Sequence, residues 1–229
     1  MDTEKHPIIN TALLSGTVNS EPVFSHELFD EAFFDFMIKV RRLSDKSDII
    51  PVTISERLIK DFNIEVGSPI TVEGQYRSYN KIEEGKSKLM LTVFARDILP
   101  ITKPLAIPNS VTLGGYICKP PVYRTTPFSR EICDVLLAVN RPYNKSDYIP
   151  CISWGRNARF IKNLKTGDRI QITGRIQSRE YNKRLNEVDT VIKTAYEVSI
   201  AQVKRTENIE IIASAVEEAG EHKETAATE

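Results

Sequence analysis

A regular alternation of apolar and polar residues marks one long segment in the second half of the chain. In residues 169–179 the isoleucines at 170, 172 and 176 fall on one face, and the opposite face is polar and carries three arginines. Period two over about ten residues predicts a half-buried β-strand. Residues 132–141, ICDVLLAVNR, are mainly aliphatic and predict a more deeply buried strand. Short strands and turn residues dominate the chain, so the pattern predicts an all-β protein.

The pattern occurs twice. KSDIIP at 46–51 returns as KSDYIP at 145–150, a spacing of 99 residues. A repeat of this length exceeds the roughly 20–50 residues of a solenoid unit and suits a whole small domain. At the same offset the matching pairs are Gly16/Gly115, Pro22/Pro121, Asp35/Asp134, Val40/Val139 and Arg42/Arg141.

Each copy contains one segment with helical spacing. In 156–166, Ala158, Ile161 and Leu164 recur every third residue, and Gly167 follows where a helix C-cap is expected. Residues 56–67 take the same place in the first copy. Strands, one helix and more strands in about 100 residues suit a five-stranded OB-type barrel. An SH3-like barrel or a small sandwich would fit this pattern as well.

The predicted organisation is therefore two tandem five-stranded OB-fold barrels, each with one short helix, plus an acidic C-terminal tail. We place the first domain at 1–104, the second at 105–205, and the tail at 206–229. The linker, KPLAIPN at 103–109, has two prolines and should keep the domains close. The tail ends in small and acidic residues, so we expect it to be partly disordered.

The charge is distributed unevenly, although the whole chain is neutral. Lys and Arg against Asp and Glu number 13 against 16 in residues 1–104, 17 against 8 in 105–205, and 1 against 7 in 206–229. The resulting net charges of −3, +9 and −6 sum to zero. A basic second domain indicates a polyanionic partner. Charge balance by the tail, for solubility alone, is the other interpretation.

Candidate catalytic or metal-binding residues are sparse. The three histidines lie outside the second copy, the three cysteines form no CxxC pair, and no phosphate-binding glycine motif occurs. The cysteines Cys118, Cys133 and Cys151 read as buried free thiols. The acidic pairs Asp45/Asp48 and Glu83/Glu84 read as solvated loop charges. We therefore expect no enzyme activity, no metal and no cofactor. No signal peptide or membrane-spanning run occurs, so the expected location is the cytoplasm.

One face of the second copy combines aromatic and cationic residues. In YIPCISW at 148–154, alternation places Tyr148 and Trp154 outward; the equivalent outward positions of the first copy hold Ile49 and Ser55. The next strand adds Arg169, Arg175, Arg179 and Tyr181 to the outward face. Exposed rings with interleaved guanidinium groups are typical of a single-strand platform, where bases stack and cations neutralise phosphates.

The second copy resembles bacterial single-stranded DNA-binding proteins of the OB-fold type. The resemblance rests on LLAVNRPY at 136–143, YIPCISWG at 148–155 and TGDRIQITGRIQSREY at 166–181, and covers roughly residues 110–205. The first copy matches more weakly, through 33–42 and 66–79. The family implies stacking aromatics at Tyr143, Tyr148, Trp154 and Tyr181. It also implies a role in DNA replication, repair and recombination. Family members with two copies per chain assemble as homodimers with four OB domains.

We therefore expect sequence-nonspecific single-stranded DNA binding and protection, mainly by the second domain. The first domain would contribute oligomer contacts and part of the path along which the DNA wraps. The nucleic-acid-binding residues would be Tyr143, Tyr148, Trp154, Tyr181, Arg141, Arg156, Arg169, Arg175, Arg179 and Lys183.

Other interpretations stay open. A protein-interaction scaffold and an RNA-binding module fit the same sequence, and a nuclease would need carboxylates that we cannot assign. The chain ends in ETAATE and lacks the family's Pro-Phe tip, so recruitment of replication or repair proteins through the tail is not expected. A specialised paralogue or a mobile-element protein is therefore an alternative to a housekeeping role.

Overall fold

The computed structural model describes residues 8–83, 85–101, 104–184 and 190–206. Within these residues the first half contains β1 (Asn10–Val18), β2 (Val23–Leu28), β3 (Glu31–Arg41), β4 (Ser47–Ser55), α1 (Glu56–Asp61), β5 (Pro69–Glu83) and β6 (Lys86–Pro100). The second half contains β7 (Asn109–Ile117), β8 (Val122–Thr125), β9 (Glu131–Arg141), β10 (Lys145–Trp154), α2 (Gly155–Ile161), β11 (Arg169–Arg184) and β12 (Thr190–Arg205). Strands dominate both halves, which confirms the all-β class. The second half also repeats the first, element by element.

Each half closes into a barrel of five strands. In the first half β1 pairs with both β3 and β5, and β4 joins β6 through the single parallel pairing of this half's described strands. The second half repeats the ring with β7, β9, β10, β12 and β11. The prediction of five strands per barrel is confirmed, and β2 and β8 add a short sixth strand at the outer edge of each barrel.

Two glycines that share a position in the repeat allow each barrel to close. A Cβ atom on Gly16 would lie 2.3 Å from the carbonyl oxygen of Lys39, and one on Gly115 would lie 2.4 Å from that of Ala138. Neither position tolerates a side chain, because backbone stands on the other side of the contact. The first strand of each copy therefore crosses closely over the third and seals the barrel.

The cores lie inside the barrels and follow the predicted alternation. Ile170, Ile172 and Ile176 of β11 are buried, and Ile50, Val52 and Ile54 are buried on β4. Alternation fails at the middle of β10, where Ile152 is buried although it lies on the outward side. The outward face of this strand is therefore exposed mainly at its two ends.

The helices are shorter than the sequence predicts. They end at Asp61 and Ile161, and Leu164 is buried from a turn rather than from the helix. Gly67 and Gly167 have φ values of 91° and 92°, but each lies in the turn before the next strand, where its amide donates to a carbonyl of the first strand of its own barrel. The expected helix C-cap at Gly167 is therefore wrong, and both glycines are left-handed turn residues.

The two barrels share one continuous sheet. β1 pairs antiparallel with β7, with Ala12 opposite Val111, so that the described strands form a single twelve-stranded sheet. Expected domain limits near 104 and 205 stay a prediction; β6 ends at Pro100 and β7 begins at Asn109. The tail beyond 206 and its expected disorder lie outside the described residues.

The aspartate of the first KSD motif bonds to the second barrel. Asp48 is 1% exposed and accepts a hydrogen bond from the backbone amide of Ser178, 2.8 Å from Oδ1. Arg42 donates to both of its oxygens, at 2.8 and 2.5 Å, and Arg175 approaches Oδ2 at 3.3 Å. The interpretation of Asp48 as a solvated loop charge is wrong. Sequence pattern could not show that the start of β4 packs against another barrel. Asp45, three residues earlier, is exposed as expected.

The second KSD motif makes the reciprocal contact. Asp147 is 0% exposed and accepts from the amide of Ser78 at 2.6 Å, while the Ser78 hydroxyl accepts from the amide of Tyr148 at 2.8 Å. Arg141 Nε lies 3.2 Å from Asp147 Oδ2 without hydrogen-bond alignment. Burial, partly offset by the Ser78 amide and Arg141, raises the pKa of the Asp147 carboxyl. We call these paired contacts the seam: Asp48 with Ser178, and Asp147 with Ser78.

The cysteines are free thiols, as expected. Cys133 and Cys151 are buried, and Cys118 is half-buried. Burial raises the pKa of Cys133 to about 11. Among the described residues there is no helix long and apolar enough to cross a membrane.

Replacing Asp48 should destabilise the folded protein. Breaking a buried ion pair costs about 3–5 kcal/mol when a charge is left behind, and because both arginine partners are partly exposed we expect about 2–3 kcal/mol for Asp48→Ala. Urea unfolding of Asp48→Ala beside Asp45→Ala measures the difference. A loss for Asp48→Ala no larger than that for Asp45→Ala would contradict the seam assignment.

Asp147 should give the stability a distinct pH dependence. Because its pKa is raised in the folded state, its protonated form favours folding, and this contribution is lost as pH rises from its ordinary value near 3.8 through the raised value. The free energy of unfolding of the natural protein minus that of Asp147→Asn should therefore fall with rising pH across this window. Urea titrations at several pH values measure it, with Asp45→Asn as the matched control. A pH-independent difference would refute the raised pKa.

Candidate nucleic-acid interface

The two aromatic residues predicted on β10 lie at the ends of its outward face. Tyr148 is 47% exposed and Trp154 is 41% exposed, while Ile149, Cys151 and Ser153 between them are buried. The rings are six residues apart, which corresponds to about 20 Å along a strand at 3.3 Å per residue. This spacing allows a strand of nucleic acid to contact both rings only if it runs along β10.

Trp154 lies at the position where the first barrel has a helix-capping serine. In the first barrel Ser55 is the N-cap of α1, and its hydroxyl accepts from the amide of Leu58 at 3.5 Å. In the second barrel Trp154 is the N-cap of α2 and makes no capping hydrogen bond. Serine caps typically contribute about 0.5–2 kcal/mol relative to alanine. The second barrel thus presents an indole at some cost in helix stability.

Tyr143 extends this surface at the adjoining turn. It is 93% exposed and lies between β9 and β10 with a φ of 62°, next to Asn144 at 55°. Two consecutive residues with positive φ form a tight hairpin turn that normally takes Gly, Asn or Asp. A tyrosine there is strained and contributes little to a core, so its exposure requires another explanation.

The far end of β11 carries the fourth predicted aromatic residue beside an arginine. Tyr181 is exposed, and the Arg179 guanidinium carbon lies 6.0 Å from the centre of its ring. Lys183 belongs to the same strand, but its side chain lies outside the described residues. The structure therefore brings Arg179 and Tyr181 together, and Tyr148 and Trp154 lie on a different strand.

Two of the predicted phosphate-binding arginines are engaged at the seam. Arg141 lies beside Asp147, and Arg175 contacts Asp48 and donates to Gln177 Oε1 at 3.0 Å. Burial is the largest cause that lowers the pKa of Arg175. These two side chains position the barrels as well as contributing positive charge.

Like Arg179, the predicted contacts Arg156 and Arg169 lie away from the seam. Arg156 is exposed on α2, two residues after Trp154, and Arg169 donates from Nη1 to the Thr206 hydroxyl at 3.1 Å. Arg156 is therefore an exposed cation close in sequence to the Trp154 ring.

Sequence reasoning missed an aromatic cluster on the first barrel. Phe33 and Phe94 lie on its outward face with ring centres 5.5 Å apart; His26 stacks on Phe33 at 5.0 Å, and Arg77 covers Phe94 at 4.0 Å. A signal was present in FFDF at 33–36, because alternation must place Phe33 on the side opposite Phe34 and Phe36. No grouping of His, Cys, Asp and Glu suited to a metal ion occurs within the described part of the chain.

With this geometry in place, the comparisons with known proteins identify the second barrel. The Single-strand binding protein family matches residues 108–206. A single-stranded DNA-binding protein of Halalkalibacterium halodurans is 36% identical over 81 residues, 32% of this chain and 48% of its own length. Single-stranded DNA-binding protein 1 of Streptococcus pyogenes is 36% identical over 83 residues, 33% of this chain and 64% of its own. The family match therefore covers the second barrel.

Structural comparison extends the similarity to both barrels. The crystal structure of the single-stranded DNA binding protein from Thermus aquaticus superposes with a TM-score of 0.69, covering 87% of this chain and 94% of that one at 22% identity. This likeness confirms the fold of two tandem OB barrels. The N-terminal domain of PriB protein from Thermoanaerobacter tencongensis is 49% identical over 41% of this chain and 98% of its own, with a TM-score of 0.37. The chain spans about half the length of several of the relatives it matches.

Proposed function

We propose that this chain binds single-stranded DNA without strong sequence preference, mainly through the second barrel, and that it catalyses no reaction. The observation that carries the proposal is the placement of Tyr148 and Trp154 at the two ends of one outward strand face, both exposed. Base–aromatic stacking tolerates any sequence, because every base offers a π-face. The match of the second barrel to the single-strand binding protein family supports the same activity.

Charge supports the proposal independently. The second barrel carries an excess of nine positive charges between residues 105 and 205, against a deficit of three in the first. Neutralising a phosphate backbone releases condensed counterions, which makes binding favourable and salt-dependent. Arg156, Arg169 and Arg179, with Lys183, are the proposed phosphate contacts. A homodimer with four such barrels, as the resemblance implies, stays a prediction.

Truncating the tryptophan should weaken binding strongly. Loss of one stacked base costs about 1–3 kcal/mol, so Trp154→Ala should reduce affinity for an oligo-dT of about 35 nucleotides by roughly five- to 150-fold. Ser55→Ala, at the same position of the first barrel, removes a helix cap and should leave affinity nearly unchanged. Fluorescence anisotropy of labelled DNA measures both. Equal affinities for the two variants would show that the platform is wrongly placed.

Affinity should fall as salt rises. The logarithm of the association constant is expected to fall with the logarithm of salt concentration, with a slope of about −0.7 for each phosphate neutralised on a single strand. Arg156→Gln should reduce the steepness by about one such increment, whereas Arg57→Gln, on α1 of the first barrel, should not. A flat salt response of the natural protein would contradict phosphate binding.

A further inference from the structure

The first barrel has an open cavity on its outward face that the proposed function leaves unused. Its volume is about 590 Å³, within the roughly 300–1,000 Å³ range of sites for small molecules. The residues that give it chemical character are Phe33, Phe94, His26, Asp35 and Arg77, together with Arg141 from the second barrel. The first barrel has Ile49 and Ser55 where the second has Tyr148 and Trp154, and neither Ile49 nor Ser55 lines this cavity.

One wall of the cavity is a continuous array of flat groups. His26 stacks on Phe33 at an interplanar angle of 12°, and the ring centres of Phe33 and Phe94 are 5.5 Å apart. The guanidinium carbon of Arg77 lies 4.0 Å from the centre of the Phe94 ring. Gln75 holds the guanidinium in place through Oε1, which accepts from Arg77 Nη2 at 2.8 Å. Phe33 is almost fully buried and supports the array; His26, Phe94 and Arg77 remain accessible. Flat aromatic and guanidinium surfaces are the ones on which nucleobases stack.

The electrostatic environment of the cavity favours an anionic ligand. Arg77, Lys81 and Arg141 line it, and Asp35 is the one carboxylate among the lining residues. Burial is the largest cause that lowers the pKa of Arg77; the charges of Arg141 and Arg96 lower it further, and the charge of Asp147 raises it. A phosphate beside Arg77 and Arg141 would relieve that repulsion. A purely hydrophobic partner would not.

Asp35 gives the cavity a preference in hydrogen bonding. Its Oδ1 accepts from the Thr53 hydroxyl at 2.6 Å and its Oδ2 accepts from the Ser25 hydroxyl at 2.8 Å. Each carboxylate oxygen can accept a second hydrogen bond. A carboxylate accepts from the exocyclic amino group of a base such as cytosine, whereas the O4 carbonyl at the same place in thymine has no proton to donate. In the second barrel the equivalent Asp134 is paired with Arg124 at 2.9 Å.

A smaller cavity connects the two barrels. Its volume is about 280 Å³, and Tyr148 and Lys145 of the second barrel face Tyr79 and Leu89 of the first across it. Ser78, Tyr79 and Arg141 line this cavity and the larger one as well. The exposed ring of Tyr148 therefore stands at one end of a trough that ends at Phe94. Ser78, which lines both cavities, bonds across the seam to Asp147 and to the amide of Tyr148.

We propose that a single strand bound at Tyr148 crosses the seam and places a base with an exocyclic amino group in the cavity of the first barrel. The base stacks on Phe94 and Arg77, its amino group donates to Asp35, and its phosphate lies near Arg77 and Arg141. This inference rests on the proposed function, because it needs the strand to be bound at Tyr148. It assigns the first barrel its own binding site, built from residues that have no aromatic equivalents in the second.

Oligonucleotide length tests the path. An OB fold covers about 4–16 nucleotides, so an oligo-dT of about 10 occupies one barrel and one of about 30 reaches both. Arg77→Gln and Phe94→Leu should each reduce the ratio of long- to short-oligonucleotide affinity by about fivefold or more. Fivefold is about the smallest effect expected when one stacked base is lost. Arg57→Gln removes the same charge from the first barrel outside the cavity and should leave the ratio as it is. Thermal unfolding of each variant verifies that it is folded.

Base composition tests the role of Asp35. Two 30-mers carry a block of ten dC at the 5′ or the 3′ end of oligo-dT, and one of them should place dC in the cavity. The measured quantity is the affinity for that oligonucleotide divided by the affinity for plain oligo-dT. This ratio should be about fivefold or more higher for the natural protein than for Asp35→Asn, because the variant loses one carboxylate contact. Cytosine and thymine are both pyrimidines, so the comparison isolates the exocyclic group.

The outcomes separate this inference from the proposed function. If Trp154→Ala weakens binding but the cavity variants change neither the length ratio nor the base ratio, the second barrel binds DNA alone and the inference is wrong. If neither the short nor the long oligonucleotide binds the natural protein, the proposed function fails and the inference fails with it. A change in the length ratio together with loss of the dC preference in Asp35→Asn supports both.

Discussion

The arrangement of this molecule depends on two buried carboxylates, each of which accepts a hydrogen bond from the opposite barrel. A buried charge is costly unless it is paired and hydrogen-bonded. Asp48 and Asp147, the aspartates of the two KSD motifs, each receive a backbone amide from the opposite barrel, at Ser178 and Ser78. The two contacts are reciprocal, and β1 pairs with β7 to join the barrels into a single sheet. Together these contacts fix the orientation of the two outward faces relative to each other.

On this shared scaffold the two outward faces have diverged. The second barrel exposes separate rings at strand ends and a turn, in places where a serine cap or a small turn residue would be more stabilising. The first barrel instead gathers its aromatic residues into a walled cavity with Arg77 and Asp35. The arginines at the seam link these surfaces, since Arg141 reaches from the second barrel into the cavity of the first. The two barrels therefore share a fold but differ in the surface that each one exposes.

Local pattern was sufficient wherever a side chain's environment follows from strand geometry. Period-two alternation correctly oriented Tyr148 and Trp154 and the isoleucines of β11, because successive residues of a strand face opposite sides. The local interpretation failed at Asp48, which lies at the start of β4 and packs against the other barrel, and at Leu164, which is buried from a turn rather than from the predicted helix. The cluster of Phe33 and Phe94 was also missed: alternation places Phe33 outward, but only the tertiary structure brings Phe94 beside it.

The sequence by itself determined the all-β class, the tandem repeat, the charge asymmetry and the exposed aromatics of the second barrel. Each of these depends on local periodicity, on composition or on comparison of the chain with itself. Only the tertiary structure decided which residues from distant strands meet: Asp48 with Ser178, Asp147 with Ser78, and Arg77 with Phe94 and Arg141. These contacts span up to 130 residues, and their register follows from how the barrels close and dock, which no local pattern of apolar and polar residues encodes.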